Sequence, residues 1–175
     1  MPFVANFPLF CIVLTLAGSV ATSMLNGKNA FRLNTAIISL CLVMNLSLLV
    51  YLVANPQEIT YKMGHFPAPW GNETRFGPLE ALVATVFCFV MLLSLLSGKT
   101  DIFEDVKSDR VNIFYVMINL LMSSLLALVY TNDLFTAYVF VEINTLSACS
   151  VVMAKENGKT ISATIRYLIM SLLGS

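Results

Sequence analysis

The sequence predicts an all-α membrane protein, a polytopic transmembrane bundle of about six helices with a short outer hairpin-like segment between the second and third. Hydrophobic residues make up 58% of the 175 residues and charged residues 11%, whereas soluble domains carry about 25% charged residues. The apolar residues also fall into long runs, most of them near the ~20 residues that a helix needs to cross a bilayer. We therefore expect one transmembrane domain over residues 1–175, embedded in the lipid bilayer.

Composition also argues against several classes of partner and cofactor. Ten basic and ten acidic side chains leave no net formal charge, so nucleic acid is not an expected partner. The cysteines lie inside apolar runs and never form a Cys-x-x-Cys pair, which favours small core residues over disulfides or metal ligands. They are Cys11, Cys41, Cys88 and Cys149. With His65 as the one histidine of the sequence, we expect no metal site and no cofactor.

The first two apolar runs predict two membrane-spanning helices. Residues 7–25 carry no charge and, at about 1.5 Å per residue, are long enough to cross a hydrocarbon core of roughly 30 Å. A polar turn is predicted over 26–32, and the second helix over 33–54. We expect Asn45, deep in this second run, to hydrogen bond to a neighbouring helix, with a functional role as the alternative.

Residues 55–78 predict a segment outside the lipid. Proline and glycine recur there among charged residues, and such a backbone cannot satisfy its own hydrogen bonds in hydrocarbon. Residues 59–64 and the stretch around Trp70 predict two short extended pieces. We expect a small hairpin on the surface, with Tyr61 and Trp70 near the lipid headgroups.

The next three elements are two helices and their connectors. Residues 79–97 predict the third helix and 111–130 the fourth, joined by a charged connector over 99–110 that can include a short surface helix. Residues 132–154 predict the fifth helix. The turn between the fourth and fifth runs is so short that these helices must pack as antiparallel neighbours.

A sixth apolar run, residues 160–175, is broken by Arg166. Its length corresponds to about 24 Å of helix, less than the roughly 30 Å of hydrocarbon. Either this helix is short or the sequence is a fragment of a longer chain.

The distribution of Lys and Arg predicts the orientation of the bundle. Seven of these residues fall in alternate connections: Lys28, Arg32, Lys99, Lys107, Arg110, Lys155 and Lys159. The connections on the other side contain Lys62 and Arg75. Because Lys and Arg accumulate on the cytoplasmic side, we expect the N-terminus and the 55–78 segment to lie outside.

The strongest functional candidate is Glu142, the one charged residue within the fifth run. A charge at that depth costs about 2.5–3.5 kcal/mol on insertion scales, so it is normally turned toward a partner or a wet cavity. Tyr138, Thr145 and Cys149 share its helical face by their spacing. Such a polar stripe on an otherwise apolar helix can hold water.

The fourth helix offers further polar side chains at comparable depth. Asn119, Ser123 and Ser124 lie on the antiparallel neighbour of the fifth helix and are candidates to complete the polar lining. Ordinary hydrogen bonding between helices is the alternative.

Arg166 is a candidate charge partner for Glu142. Counted from the inner ends of their helices, Arg166 lies about 9 Å deep and Glu142 about 18 Å deep, a difference that a long Arg side chain can bridge in large part. Alternatively, Arg166 extends to the inner interface and binds a lipid phosphate.

Three stretches of the sequence together resemble a known family. They are 64–71, Gly-His-Phe-Pro-Ala-Pro-Trp-Gly; 131–142, Thr-Asn-Asp-Leu-Phe-Thr-Ala-Tyr-Val-Phe-Val-Glu; and 166–169, Arg-Tyr-Leu-Ile, followed by Gly174-Ser175. In this order they resemble the antiporter-like subunits of complex I, Mrp-type sodium/proton antiporters and energy-converting membrane hydrogenases. Residues before 60 match that family in character alone.

The resemblance implies that this chain is the N-terminal portion of a larger helix bundle in an energy-transducing membrane. Its partners would be other membrane subunits of a multisubunit complex, and its cargo protons, with sodium as a further candidate. Glu142 matches a glutamate of the family's proton path. A lysine is common where Arg166 stands, and because Arg hardly deprotonates, it would set the charge state of Glu142 without relaying a proton.

Two other functional classes remain as alternatives. One is a scaffold subunit in which a Glu142–Arg166 pair fixes helix packing. The other is a self-contained membrane enzyme, which would need a nucleophile or metal cluster that the sequence does not suggest. We expect the chain not to be catalytic by itself, but to belong to a redox-driven ion pump or an antiporter complex.

Overall fold

A computed structural model describes residues 3–55, 59–62, 73–108, 110–155 and 157–174. A 3-10 turn, Phe3–Asn6, precedes the first helix. The helices are α1 (Phe7–Ser23), α2 (Gly27–Ala54), α3 (Pro78–Ser97), α4 (Lys99–Asp105), α5 (Val111–Tyr130), α6 (Leu134–Met153) and α7 (Gly158–Gly174), and the strands are β1 (Ile59–Lys62) and β2 (Glu73–Phe76).

The predicted polytopic helix bundle is confirmed. Within the described residues, five helices are long and apolar enough to cross a membrane: α1 with its preceding turn, α2, α3, α5 and α6. α7 has 17 residues and reaches about 25 Å, short of a hydrocarbon core. The sixth apolar run is helical over its described residues.

α2 begins earlier than predicted. The sequence predicts a polar turn over 26–32, but the helix already starts at Gly27. Lys28 and Arg32 are exposed on this first part of α2, so the helix carries them without burying their charge. At 28 residues, α2 is about 42 Å long and exceeds the hydrocarbon core. Its charged first turns can therefore lie in the headgroup region.

α5 lies at the centre of the bundle. It contacts α1, α2, α3 and α6, and ten of its 20 residues are buried, against two of 20 in α6. The contact between α5 and α6 confirms the prediction that these helices pack as neighbours. α6 is thus covered on one side by α5 and in part by α7.

The hairpin differs in detail from its prediction. β1 pairs antiparallel with β2, with Ile59 opposite Phe76. The predicted second piece around Trp70 lies outside the described residues, and the partner of β1 is β2. Tyr61 is exposed, and its position near the lipid headgroups stays a prediction. Thr74 and Phe76 alternate as buried residues of β2, so one face of the hairpin covers the bundle.

The hairpin docks on the turn between α5 and α6. The backbone N–H of Asn132 donates to the Glu73 carbonyl at 2.8 Å, and the amide of Asn132 donates to Oε1 of Glu73 at 2.9 Å. The Phe76 ring meets Tyr130 edge to face, with centroids 5.5 Å apart. We call this the hairpin end of the bundle. The opposite end, where α1, α3 and α6 finish, is the basic end, because it carries the seven Lys and Arg residues counted above.

The charged connector contains the short helix that the sequence allows. α4 follows α3 directly, and Ile102, Phe103 and Val106 pack against a core cluster shared with α2 and α5. Asp105 pairs with Lys155 at 2.8 Å, which ties α4 to the end of α6. The connector is therefore a packed part of the basic end.

Candidate functional site

The candidate site is carried by α6, whose start is fixed by a side-chain cap. Asp133 accepts hydrogen bonds from the Thr136 backbone N–H at 3.0 Å and from the Thr136 hydroxyl at 2.6 Å. An N-cap carboxylate satisfies donors that the first helical turn leaves unpaired. The Thr136 hydroxyl, followed by its backbone N–H, holds the pKa of Asp133 below its usual value.

Glu142 lies near the middle of α6. It is about 12 Å from the start of the helix and about 16 Å from its end. The side chain is half-buried, and its Oε2 atom is buried within the protein. One carboxylate oxygen is therefore buried near the middle of a candidate membrane span.

The helix that bears Glu142 is less apolar than the other candidate spans, and less of its surface is buried by the rest of the protein. Of the five candidate spans, α6 has the lowest mean hydropathy and the smallest buried share. In a bilayer, the most polar span is expected to be the best shielded from lipid. The face of α6 that bears Glu142 is therefore suited to further protein or to water.

The other members of the predicted stripe have different surroundings. Tyr138 is exposed, and the Thr145 hydroxyl donates to the Val141 carbonyl of its own helix at 2.7 Å. Cys149 is buried and lines a groove of about 550 Å³ between α6 and α7. The stripe thus runs from an exposed tyrosine to a covered thiol, with Glu142 between them.

The three candidates on α5 do not all face α6. Asn119 donates to the Thr22 hydroxyl of α1 at 3.1 Å, and the Ser123 hydroxyl donates to the Ile12 carbonyl of α1 at 3.4 Å. Both make the interhelical hydrogen bonds that were the alternative to a transport role. Their part in a polar lining, like that of Ser124, stays a prediction.

Ser124 is the member of this group that reaches α6. Its hydroxyl approaches Oδ1 of Asn144 at 3.3 Å and donates to the Leu121 carbonyl of its own helix at 2.8 Å. Sequence reasoning missed Asn144. Its position two residues after Glu142 puts it on a different face of α6, toward α5, and an amide in an apolar run was the available signal.

Arg166 lies on α7, which packs against α6. With the observed helix bounds it is about 12 Å from the start of α7, and Glu142 about 16 Å from the adjoining end of α6, so their depths differ by less than predicted. The Arg166 side chain is exposed. The pairing stays a prediction.

Two expectations about buried residues are confirmed. Asn45 bonds across the bundle, accepting from the Tyr130 hydroxyl at 2.5 Å. All four cysteines are free and buried, as expected of small core residues. No group of three or more His, Cys, Asp or Glu among the described residues is arranged to hold a metal ion.

The fold defines a multi-pass membrane protein with a carboxylate near the middle of one of its candidate spans. No protein-family model matches the chain. The chain is similar to the candidate antiporter subunit mnhD2 of Staphylococcus haemolyticus, with 27% sequence identity. That alignment covers 98% of this chain and 34% of the relative. It is also similar to the NADH-quinone oxidoreductase subunit N of Desulforudis audaxviator, with 32% sequence identity. That alignment covers 63% of this chain and 22% of the relative.

A solved structure supports the same fold. The chain superposes with a TM-score of 0.81 on a subunit of the membrane-bound sulfane sulfur reductase, an archaeal respiratory membrane complex, at 19% identity. The match covers 98% of this chain and 34% of that one. These comparisons confirm that the chain resembles antiporter-like membrane subunits of Mrp and complex I type. It spans 34% and 22% of the length of these two curated relatives.

Proposed function

We propose that this chain forms part of an ion-translocating subunit in a multisubunit respiratory, hydrogenase or Mrp-type complex. In this proposal Glu142 takes up and releases a proton within a hydrated path, and proton movement is coupled to other subunits or to sodium. Any redox chemistry takes place elsewhere in the complex. The complex lies in an energy-transducing inner or cytoplasmic membrane, with the N-terminus of this chain outside.

One observation carries the proposal: the sole charged residue of α6 lies near mid-helix with a carboxylate oxygen buried. A carboxylate there is costly in free energy, and such residues in transmembrane helices commonly mark proton or ion paths. The low coverage of α6 supports a further protein or water surface beside it. Relatives described as antiporter and NADH-quinone oxidoreductase subunits support the same class.

Arg166 has a supporting role in the proposal. Its depth on the adjoining helix lies within about 4 Å of that of Glu142 by helical rise. A guanidinium near a carboxylate favours the ionised form, whereas burial favours the protonated form. Arg166 is therefore the candidate cation that would act on the charge of Glu142.

The test replaces Glu142 by Gln, which keeps the shape of the side chain and removes its exchangeable proton. In vesicles containing the intact complex, Glu142→Gln should assemble normally but translocate protons or sodium at a small fraction of the parental rate. Glu104→Gln, the same change on an exposed residue of α4, is the matched control and should translocate normally. If Glu142→Gln pumps as well as the parent, Glu142 is a structural residue.

A further inference from the structure

A pocket at the basic end of the bundle lies away from Glu142. Its volume is about 220 Å³, and it is lined by Lys28, Phe31, Arg32, Lys99 and Phe103. Three of these five residues are cationic, and none is acidic. Cations brought together in this way repel one another, so the pocket favours an anion.

The geometry holds the three cations around the same space. Lys28 and Arg32 are four residues apart and therefore lie on one face of α2. The ammonium nitrogen of Lys99 lies 5.2 Å from the centre of the Phe31 ring, within the range of a cation–π interaction. Phe103 packs against the start of α2, close to Gly27. Phe31 and Phe103, both half-buried, thus form the apolar part of the pocket wall beside the three cations.

The acidic residues Asp101 and Asp105, which follow Lys99 in the sequence, do not line the basic pocket. Asp105 pairs with Lys155 at 2.8 Å, and Asp101 lines, with Asp105, a separate cleft that reaches the end of α6. α4 is therefore divided into a basic aromatic side facing α2 and an acidic side facing α6. Glu104 is exposed and lines neither the pocket nor that cleft.

An apolar surface continues from the pocket along the bundle. On the face of α2 that bears Arg32, the next exposed residues are Ala36, Leu40 and Val43. α3, which packs against α2, exposes Leu93 and Leu96 just before Lys99. A ligand that fits both surfaces has an anionic head and long apolar chains.

We propose that this pocket binds the phosphate of an anionic phospholipid, whose acyl chains lie on the exposed apolar faces of α2 and α3. Basic pockets between membrane helices are suited to such headgroups. The volume of the pocket is below the range of about 300–1,000 Å³ of typical small-molecule sites, which suits one phosphate group better than a whole nucleotide.

An adjoining cavity indicates the rest of the headgroup. It has a volume of about 410 Å³, shares Lys28 and Phe103 with the first pocket, and adds Asn26, Asn29 and Ser108. These neutral polar side chains can hydrogen bond to hydroxyl groups. Phosphatidylglycerol, with a phosphate and two hydroxyls, is therefore the probe of choice.

The test measures binding of phosphatidylglycerol to the protein purified as it assembles in its membrane. Lys28→Gln, Arg32→Gln and Lys99→Gln are combined in one variant, and Lys107→Gln, Arg110→Gln and Lys159→Gln in a matched control that removes the same charge at the same end. Removing the three cations that line the pocket should weaken binding about 100-fold, about fivefold for each. The control should bind like the parent. If the combined variant does not fold, Lys99→Gln alone should bind about fivefold more weakly.

Two further arms distinguish the source of the phosphate. Phosphatidylcholine vesicles supply the same chains without net negative charge, and inorganic phosphate supplies the anion without chains. The proposal requires phosphatidylglycerol to bind far more tightly than either. Equal binding of the two lipids, displacement of the lipid by millimolar-range inorganic phosphate, or equal loss in the control variant would each overturn it.

Discussion

The hydroxyl of Tyr130, in the last turn of α5, donates a hydrogen bond of 2.5 Å to Oδ1 of Asn45, in the second half of α2. Both side chains are fully buried. The amide nitrogen of Asn45 in turn donates to the Cys41 carbonyl at 2.8 Å and lies 3.5 Å from Sγ of Cys11. This polar link therefore joins three helices of the bundle within an apolar core.

Tyr130→Phe should destabilise the protein by about 1–2 kcal/mol, because it leaves a buried amide oxygen without its donor. Unfolding in mixed detergent micelles measures the change. Tyr115→Phe is the matched control: the Tyr115 ring is equally buried, but its hydroxyl has no hydrogen-bond partner within the described residues. Tyr115→Phe should change the free energy of unfolding little or not at all. Similar losses for both variants would contradict a specific role for the Tyr130–Asn45 bond.

Gly18→Ala should destabilise the contact between α1 and α2. A Cβ at Gly18 would overlap Cδ1 of Ile37, and overpacking a core costs about 1–3 kcal/mol. Ile37→Val deletes that carbon, so the double variant should recover part of the loss. Gly158→Ala serves as control, because a Cβ at Gly158 meets nothing within 4 Å. Additive losses in the double variant would show that the two residues do not clash.

The helix content of the bundle was predictable because long apolar runs have few alternatives in a membrane. The start of α2 was not predictable, because charged residues such as Lys28 and Arg32 favour a boundary of the membrane span, whereas a helix longer than the hydrocarbon core can carry both. The helix that Asn119 contacts could not be predicted from the sequence either. Its spacing defines a face of α5, but only packing shows that this face meets Thr22 of α1 and that Ser124 meets Asn144 of α6.

The cap of α6 predicts a pH dependence. Because hydrogen bonds lower the pKa of Asp133 in the folded state, the stabilisation is present above the unfolded-state pKa and is lost as pH falls through the lower folded-state value. The parent should therefore be more stable than Asp133→Ala at neutral pH, and the difference should shrink in acid. Thermal unfolding at several pH values measures it. Asp101→Ala, which removes an exposed carboxylate of α4, is the control for the loss of one acidic side chain.

The orientation predicted from Lys and Arg can be tested by labelling. Cysteines placed singly at Asn55, next to the hairpin end, and at Lys107, at the basic end, should react with an impermeant thiol reagent from opposite sides of the membrane. The four native cysteines are buried and should give little background. We expect Asn55→Cys to be labelled from outside. Labelling of Lys107→Cys from outside would reverse the predicted topology.

Replacing Glu142 and Arg166 together separates a transporter from a scaffold. Glu142→Leu with Arg166→Met removes both charges while keeping apolar volume, and a paired charge can often be replaced in this way without loss of stability. If Glu142 relays protons, the complex should assemble at the parental level and lose ion uptake. A scaffold subunit would retain both assembly and ion uptake. Glu142→Leu alone is the control for the pair: if the charges interact, the single variant should assemble less well than the double variant, because it leaves Arg166 without its counter-charge. Equal assembly of the two variants would show that Arg166 is not the partner of Glu142, and full ion uptake by the double variant would refute the relay.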